Sequence, residues 1–340
     1  MLRLVGILIT VLFAIATAIL VWPQFFQLEN TFPIAQIIAS RALVLGGFVV
    51  VMILALLMML ARPMRGFAAS ILIVALLGAG ATAVVGGLRG AGTGSLPAKT
   101  DTALRVLTWN TNGAAVSAER IAQVIDEQQV DIVTLPETSE EVGEQIAIRM
   151  REAGSPMWVH HVNIRPDVPN GPQAWQTTIL ISAELGEYSV IASSRDGSSN
   201  TTSVPSAVAM PVDGTGPTIV AVHAVAPREK AMSRWRADLA WVADQCPAGD
   251  FILAGDFNAT LDHMARLGSD GGTMGRCQDA ASTTGNGMLG TWPADVPALL
   301  GAPIDHIMAS ENWRATGSEV LPDAGGSDHR ALVAQLEPAT

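Results

Sequence analysis

The chain has 340 residues, of which 49% are hydrophobic and only 15% charged, and its mean hydropathy is +0.35, a composition that excludes an ordinary soluble protein. Its net charge of −11 conceals an asymmetry: 30 of the 31 acidic residues and 14 of the 20 Lys/Arg lie beyond residue 99, leaving that portion at −16 and the first 99 residues at +5. Such an acidic domain lacks the basic surface that supplies most non-specific nucleic-acid affinity.

Three stretches, 4–22, 42–61 and 66–88, are free of charge. Each is about 20 residues, the length a helix needs to cross roughly 30 Å of hydrocarbon. They predict a membrane anchor over residues 1–88 with three transmembrane helices. The first also fits a cleaved signal sequence, since Arg3 precedes it and small residues lie near its end. Arg3 before the first span and Arg62 and Arg65 between the second and third place those sides in the cytoplasm by the positive-inside rule, so the rest of the chain is expected outside it. Arg41 and Arg89 fall on the wrong side in this scheme. Residues 89–103, rich in Gly, Ser, Thr and Pro, read as a flexible linker.

Residues 104–340 are enough for one large α/β domain. Short apolar runs predict strands over 104–109, 131–135, 157–162, 177–182, 188–192, 206–210, 218–223, 250–254, 304–309, 314–320 and 330–336. Ser117 and Ser139, each followed by acids, sit where helix N-caps belong, and a longer helix is expected over 229–244 with Trp235, Leu239 and Val242 inward. Two mixed β-sheets packed face to face and flanked by helices, a four-layer α/β sandwich behind three transmembrane helices, is the expected fold. Cys246 and Cys277 are the only cysteines, and outside the cytoplasm they would either pair or remain small buried thiols.

Polar residues recur where these strands end. The first runs into Asn110, Thr111 and Asn112; the second into Glu137; another ends in His223; LAGDFNAT carries Asp256 and Asn258; Asp305 and His306 interrupt an apolar run; and Asp328 and His329 precede the last strand. Groups gathered from several strand ends can converge in a crevice. Singly, Asp256 and Asn258 read as turn formers and His223 as a satisfied core histidine. His160 and His161 look like a metal pair, but adjacent strand residues point to opposite faces, which favours structure. His263 and His306 read as supporting or surface residues. Arg228, Lys230, Arg234 and Arg236 form the one basic cluster, a solvated helix face or a clamp for a phosphorylated substrate.

Taken together in this order, TWNTNG, LPETS, VHAVAP, AGDFNAT, PIDHI and GSDHR resemble the endonuclease/exonuclease/phosphatase superfamily, the metal-dependent phosphoesterases related to DNase I, over residues 104–337. The three-span anchor and the wording HAVAP and SDHRALVAQL are similar to an actinobacterial membrane branch that includes teicoplanin-resistance proteins of the vancomycin-resistance cluster. The resemblance implies a divalent metal, Mg²⁺ or Mn²⁺, held by Glu137 with Asn112 and Asp328, and a catalytic set of Asn110, His223, Asp256, Asn258, Asp305 and His329. In it Asp305 holds His329, Asp256 orients or deprotonates the attacking water, Asn110 and Asn258 hold phosphate oxygens, and His223 touches the phosphate or the leaving group. All-oxygen ligands suit Mg²⁺ better than zinc, and phosphoryl transfer needs a cation, polar donors and a base set in place beforehand.

Pro136 stands where many members have Gln, and Asn112 where others have Asp; the sole tyrosine, Tyr188, lies outside the motifs, with His223 in the place of the tyrosine of the abasic-site repair branch. The expected function is hydrolysis of a phosphate ester or diphosphate of a lipid-linked envelope substrate by a multi-pass cell-membrane protein. A tethered Mg-dependent nuclease ranks second, because the domain lacks basic surface and offers little aromatic stacking, although charge alone does not exclude it. A binding protein on an inactive scaffold ranks third.

Overall fold

The computed structural model describes residues 2–168, 171–191, 200–268, 274–323 and 325–339. Three helices, α1 (Leu2–Val21), α3 (Arg41–Met58) and α4 (Arg65–Arg89), are long and apolar enough to cross a membrane, and the short α2 (Ile34–Ile38) lies between the first two. Ser40 starts α3 by accepting the Leu43 N–H. The three helices meet at Gly78, where a Cβ would lie 2.7 Å from the side chains of Phe48 and Thr17 and would push them aside.

The strands that follow are β1 (Leu104–Thr108), β2 (Ile132–Pro136), β3 (Met157–Asn163), β4 (Gln176–Ser182), β5 (Tyr188–Ile191), β6 (Ala207–Pro211), β7 (Thr218–His223), β8 (Phe251–Asp256), β9 (Leu267–Gly268), β10 (Met274–Gly275), β11 (Gln278–Asp279), β12 (Asp305–Ala309), β13 (Trp313–Val320) and β14 (Leu332–Pro338). They form two six-stranded sheets, β13-β14-β1-β2-β4-β3 and β11-β12-β8-β7-β6-β5, with a two-stranded β10-β9 ribbon besides. The period of two sorts their side chains. Val106, Ile132, Ile219, Ala221, Ile252, Ala254 and Ile307 fill the space between the sheets. Their neighbours Leu107 and Val133 face α5 (Ala118–Glu127) and α6 (Glu140–Glu152) on one outer face, and Val220, Val222 and Leu253 face α7 (Met232–Asp244) on the other. Ser117 and Ser139 cap α5 and α6 as expected.

The expected four-layer sandwich is therefore observed, and each of the eleven predicted strands falls on a strand; Ala192, the last residue of the predicted 188–192 segment, lies outside the described residues. The two-residue strands β9 to β11 and the four-residue helices α8 (Leu261–Met264) and α9 (Ala280–Thr283) are additional. Cys246 and Cys277 are joined in a disulfide with Cα atoms 5.9 Å apart, fastening the end of α7 to the segment before β11.

Residues 89–103 differ from the loose linker that their composition predicts. Gly92 and Thr93 donate backbone N–H groups to Gly285 O, Met288 N–H bonds Gly90 O, Lys99 pairs with Asp131 at 2.6 Å, and Thr100 and Thr102 bond Glu337. The turn between α1 and α3 is fastened as well. Asp262 of α8, almost fully buried, accepts from Arg41 Nε and Nη2 at 2.8 and 2.6 Å and from Arg89 Nη1 and Nη2 at 2.8 and 3.0 Å. Arg41 Nη1 continues to Leu20 O at the end of α1, Gln24 Nε2 donates to Asp262, and Glu29 pairs with Arg266. His263 Nδ1 accepts from Thr260 N–H at 2.8 Å while Nε2 donates to Ala35 O at 2.9 Å. The two arginines that offend the positive-inside pattern are thus the two that one buried carboxylate neutralises.

Candidate active site

β1 and β2 are parallel, β7 and β8 are parallel, and β14 and β12 run antiparallel beside them. The exits of four strands and the entrances of two consequently share one rim. Register sets the details: His223 is opposite Asp256 across β7 and β8, and Asp256 is opposite Asp305 across β8 and β12. Gly255 makes this row possible, since a Cβ there would lie 1.9 Å from Val222 O of the neighbouring strand. Asn112, Glu137 and Asn258 all adopt left-handed backbone, with φ of 48°, 59° and 47°. Asparagine tolerates that region, whereas for Glu137 it is a cost that the surrounding structure must impose.

His329 and Asp305 form a buried pair, Nδ1 to Oδ2 at 2.8 Å, and His329 Nε2 faces Asp256 Oδ2 at 3.9 Å. Burial works against the imidazolium, but Asp305 and Asp256 outweigh it and raise the His329 pKa to about 10. The ring is therefore a cationic donor at neutral pH. Burial and the neighbouring Asp305 push Asp256 up to about 7. His223, pushed down to about 3 by burial and by His329, is neutral; its Nε2 lies 3.7 Å from Glu137 Oε1, and its buried Nδ1 has no hydrogen-bond partner. Its backbone N–H is held by Ser206 Oγ at 3.0 Å.

The two asparagines are bonded to the carboxylates of the site. Asn110 Nδ2 donates to Asp256 Oδ2 at 3.0 Å and to Glu137 Oε1 at 3.3 Å, and its Oδ1 accepts the Asn112 N–H. Asn258 Nδ2 donates to Asp256 Oδ2 at 3.1 Å and to Ala224 O at 2.9 Å, while its backbone N–H bonds Asp256 Oδ1 at 2.8 Å. Each amide nitrogen has two hydrogens, and both are engaged. Without a substrate, these groups aim the Asp256 and Glu137 carboxylates.

Of the expected metal ligands, Glu137 lies in this cluster and is half-buried, Asn112 is exposed, and Asp328 is exposed with Oδ2 accepting from Trp292 Nε1 at 3.1 Å. Among the described residues, the group whose ligand atoms approach within 4.8 Å is Asp256, Asp305 and His329. Since Asp305 is already bonded to His329, that trio is not a closed cage. The donor set still fits a hard cation. Glu137 has its pKa raised by burial and by Asp328 and Asp305, and the buried Asp305 Oδ1 has no partner. His223 adds no charge to offset these carboxylates.

Several supporting residues escape a reading of the motifs. Thr111 and Thr138 share a 2.8 Å hydroxyl bond beneath the Glu137 turn, and Ser327 Oγ links Asn110 O to the His329 N–H. Thr291 Oγ1 accepts the backbone N–H groups of Ile304 and Asp305. Arg330, next to His329 in GSDHR, donates to the carbonyls of Gly290, Pro293, Ala294 and Val296. His306, doubly bonded to Asp279 at 2.8 Å and Ala259 O at 2.9 Å, is structural, and His161 bonds Thr178 on the edge of the other sheet. Arg228, Lys230, Arg234 and Arg236 lie exposed.

This strand-end arrangement is that of a phosphoesterase fold, and the comparisons agree. The family model described as Endonuclease/Exonuclease/phosphatase family matches residues 107–329, and the chain belongs to that family. Its members include phosphoesterases and nucleases, typically dependent on a divalent metal. Among solved structures, the chain is similar to D. rerio TDP2 humanized by 14 mutations (15% identity, TM-score 0.51, 70% of this chain and 100% of that one). It is also similar to endonuclease/exonuclease/phosphatase proteins from Beutenbergia cavernae (18%, 0.50, 70% and 72%) and Bacteroides thetaiotaomicron (14%, 0.50, 71% and 100%). At these identities the likeness is one of fold. No curated protein matches the chain.

Proposed function

We propose that the protein is a membrane-anchored, metal-dependent phosphoesterase that acts outside the cytoplasm on a lipid-linked phosphate ester or diphosphate, within the actinobacterial branch its anchor and motifs resemble. One observation carries the reading. Six residues beyond Asp256 the chain reaches Asp262, which joins Arg41 at the start of α3 to Arg89 at the end of α4. Six residues span at most about 20 Å even fully extended, so Asp256 sits within that reach of the plane where two candidate spans end. A soluble substrate needs no such placement; a phosphate carried on a lipid does. Arg3, Arg62 and Arg65 at the opposite ends support the outward orientation.

In this reading Asp256, held by Asn110 and Asn258, takes the proton of a water whose oxygen attacks phosphorus. His329, cationic and fixed by Asp305, donates to the phosphoryl oxygens, and neutral His223 borders the same gap. One water is consumed and one P–O bond breaks. A divalent ion held by Glu137, with Asn112 and Asp328, supplies neutralisation of the charge gathering on those oxygens.

The test is the full chain in nanodiscs with Mg²⁺ or Mn²⁺, offered a prenyl diphosphate and plasmid DNA in parallel. Metal-dependent phosphate release from the prenyl diphosphate, abolished in Glu137→Ala, is expected. Nicking of DNA with the lipid untouched would instead make the protein a nuclease, and inactivity on both, with metal binding unaltered by Glu137→Ala, a binding protein.

A further inference from the structure

The loop over residues 290–303 connects the catalytic rim to the anchor. It folds back on itself, with Trp292 bridged to Ala302 and the Gly290 N–H bonded to Ala298 O at 2.7 Å. One side belongs to the site: Thr291 holds the backbone of Asp305, Trp292 holds the Asp328 carboxylate, and Arg330 gathers four carbonyls of the loop. The other side belongs to the anchor: Ser40, the N-cap of α3, donates Oγ to Leu300 O at 3.0 Å, and Leu299 and Gly301 border one small cavity with Arg41, Ala42 and Arg89.

Three large apolar side chains on this clasped loop face outward, Trp292 at 41% exposure, Leu299 at 46% and Leu300 at 43%. Scattered exposed leucines mean little, but these three lie on one rigid loop, two of them at the level where α3 begins and α4 ends and the third beside the site. Trp292 has its polar tip on a carboxylate and its ring bare, the disposition of a tryptophan at an apolar–aqueous boundary.

Resting on the reading of a lipid-linked substrate, we infer that this loop is a preformed lip on the bilayer surface. Leu299 and Leu300 dip into the outer leaflet, and Trp292 contacts the first carbons of the chain that carries the phosphate. Because the loop is held at both ends, little ordering is left to oppose binding. The lip favours long-chain over short-chain substrates.

Two measurements on the full chain in nanodiscs test this. The first is the ratio of kcat/KM for a long prenyl diphosphate to that for dimethylallyl diphosphate, in the wild type and in Leu299→Ser/Leu300→Ser. A fall in the ratio of about ten- to a hundredfold is expected, the range that a few apolar contacts command. An undiminished ratio in the variant overturns the lip while leaving the lipid-phosphate reading intact. A wild-type ratio near unity instead overturns the substrate reading, and the lip's role in selection with it. The second needs no substrate. The native chain has no free thiol, so Leu300→Cys introduces a unique site for an environment-sensitive dye. Quenching of that dye by doxyl lipids is expected, and indifference to them refutes membrane contact.

Discussion

Asp256 and Asp262 lie six residues apart, both almost fully buried, and their environments treat them in opposite ways. Burial raises both. At Asp256 the remaining partners are Asp305, which raises the pKa further, and His329 and two asparagines, which only partly offset it, and its pKa rises to about 7. At Asp262 two guanidiniums overturn the effect of burial and hold the carboxyl well below the usual range. The same side chain is thus a proton acceptor poised near neutrality in one place and a permanent anion in the other, and the choice lies wholly with what faces it. In the proposed function one carboxylate serves chemistry and the other fastens the domain that performs it.

The largest effect that separates the two regions belongs to the catalytic rim. Asp305→Asn removes the charge that orients and holds the His329 imidazolium, and His329→Ala removes the donor itself. Each should lower kcat/KM by roughly two to four powers of ten at temperatures where the variant is folded, the range for general acid–base and electrostatic groups; Asp305→Asn also strips a buried imidazolium of its partner and so lowers the melting temperature. Steady-state assay well below each variant's melting transition checks this; wild-type activity in the folded variants would make the pair structural.

Asp262→Ala should invert that pattern. It leaves two arginines at a buried site without their counter-charge, a loss of about 3–5 kcal/mol by analogy with other broken buried pairs. Melting in detergent should fall, and limited proteolysis should open residues 89–103. The triple change Arg41→Met/Arg89→Met/Asp262→Leu should recover much of the loss, because nothing charged is then left unpaired. If the single variant is as stable as the wild type, the clamp carries no weight. The Cys246–Cys277 link predicts a smaller effect confined to the outer face of the second sheet: replacing both with Ser should cost about 3 kcal/mol, the usual scale for a loop of this size, read as a lower unfolding midpoint.

What the sequence makes legible follows the same division. Strand exits at the rim are readable because an apolar run that stops on Asp256 or Glu137 breaks a period, and the six breaks occur in the family's order. The clamp is not readable in that way. Asp262 looks like an ordinary first-turn acid of a helix, and its partners lie 221 and 173 positions away; the only trace is that Arg41 and Arg89 offend the positive-inside pattern. Residues 89–103 mislead for a related reason, since bonds such as those of Gly92 and Thr93 to Gly285 use main-chain groups and leave no mark on composition. For Asn110 and Asn258 the residue type was informative but the direction of the amide was not, and direction decides whether the group faces substrate or carboxylate. Two-residue strands such as β9 are too short to show any period.

The smallest effect probes the anchoring side through protons. His263 accepts from Thr260 on one nitrogen and donates to Ala35 on the other, an arrangement only the neutral ring can make. Burial, more than the nearby Arg41 and Arg89, pushes its pKa down to about 4, despite the opposing pull of Asp262 and the Ala35 carbonyl. Unfolded, the same ring titrates near 6.5, so below that pH the unfolded chain binds a proton that the folded chain refuses. Stability is therefore complete above 6.5 and declines as pH falls toward 4, where the folded ring is finally protonated as well. His263→Gln retains an acceptor and a donor without a titrating group, and should flatten that part of the pH–stability curve relative to the wild type while leaving the His223 contribution in place. Identical slopes between pH 6.5 and 4 in the two proteins would show that His263 takes up its proton alike in the folded and unfolded chains, and would overturn this assignment.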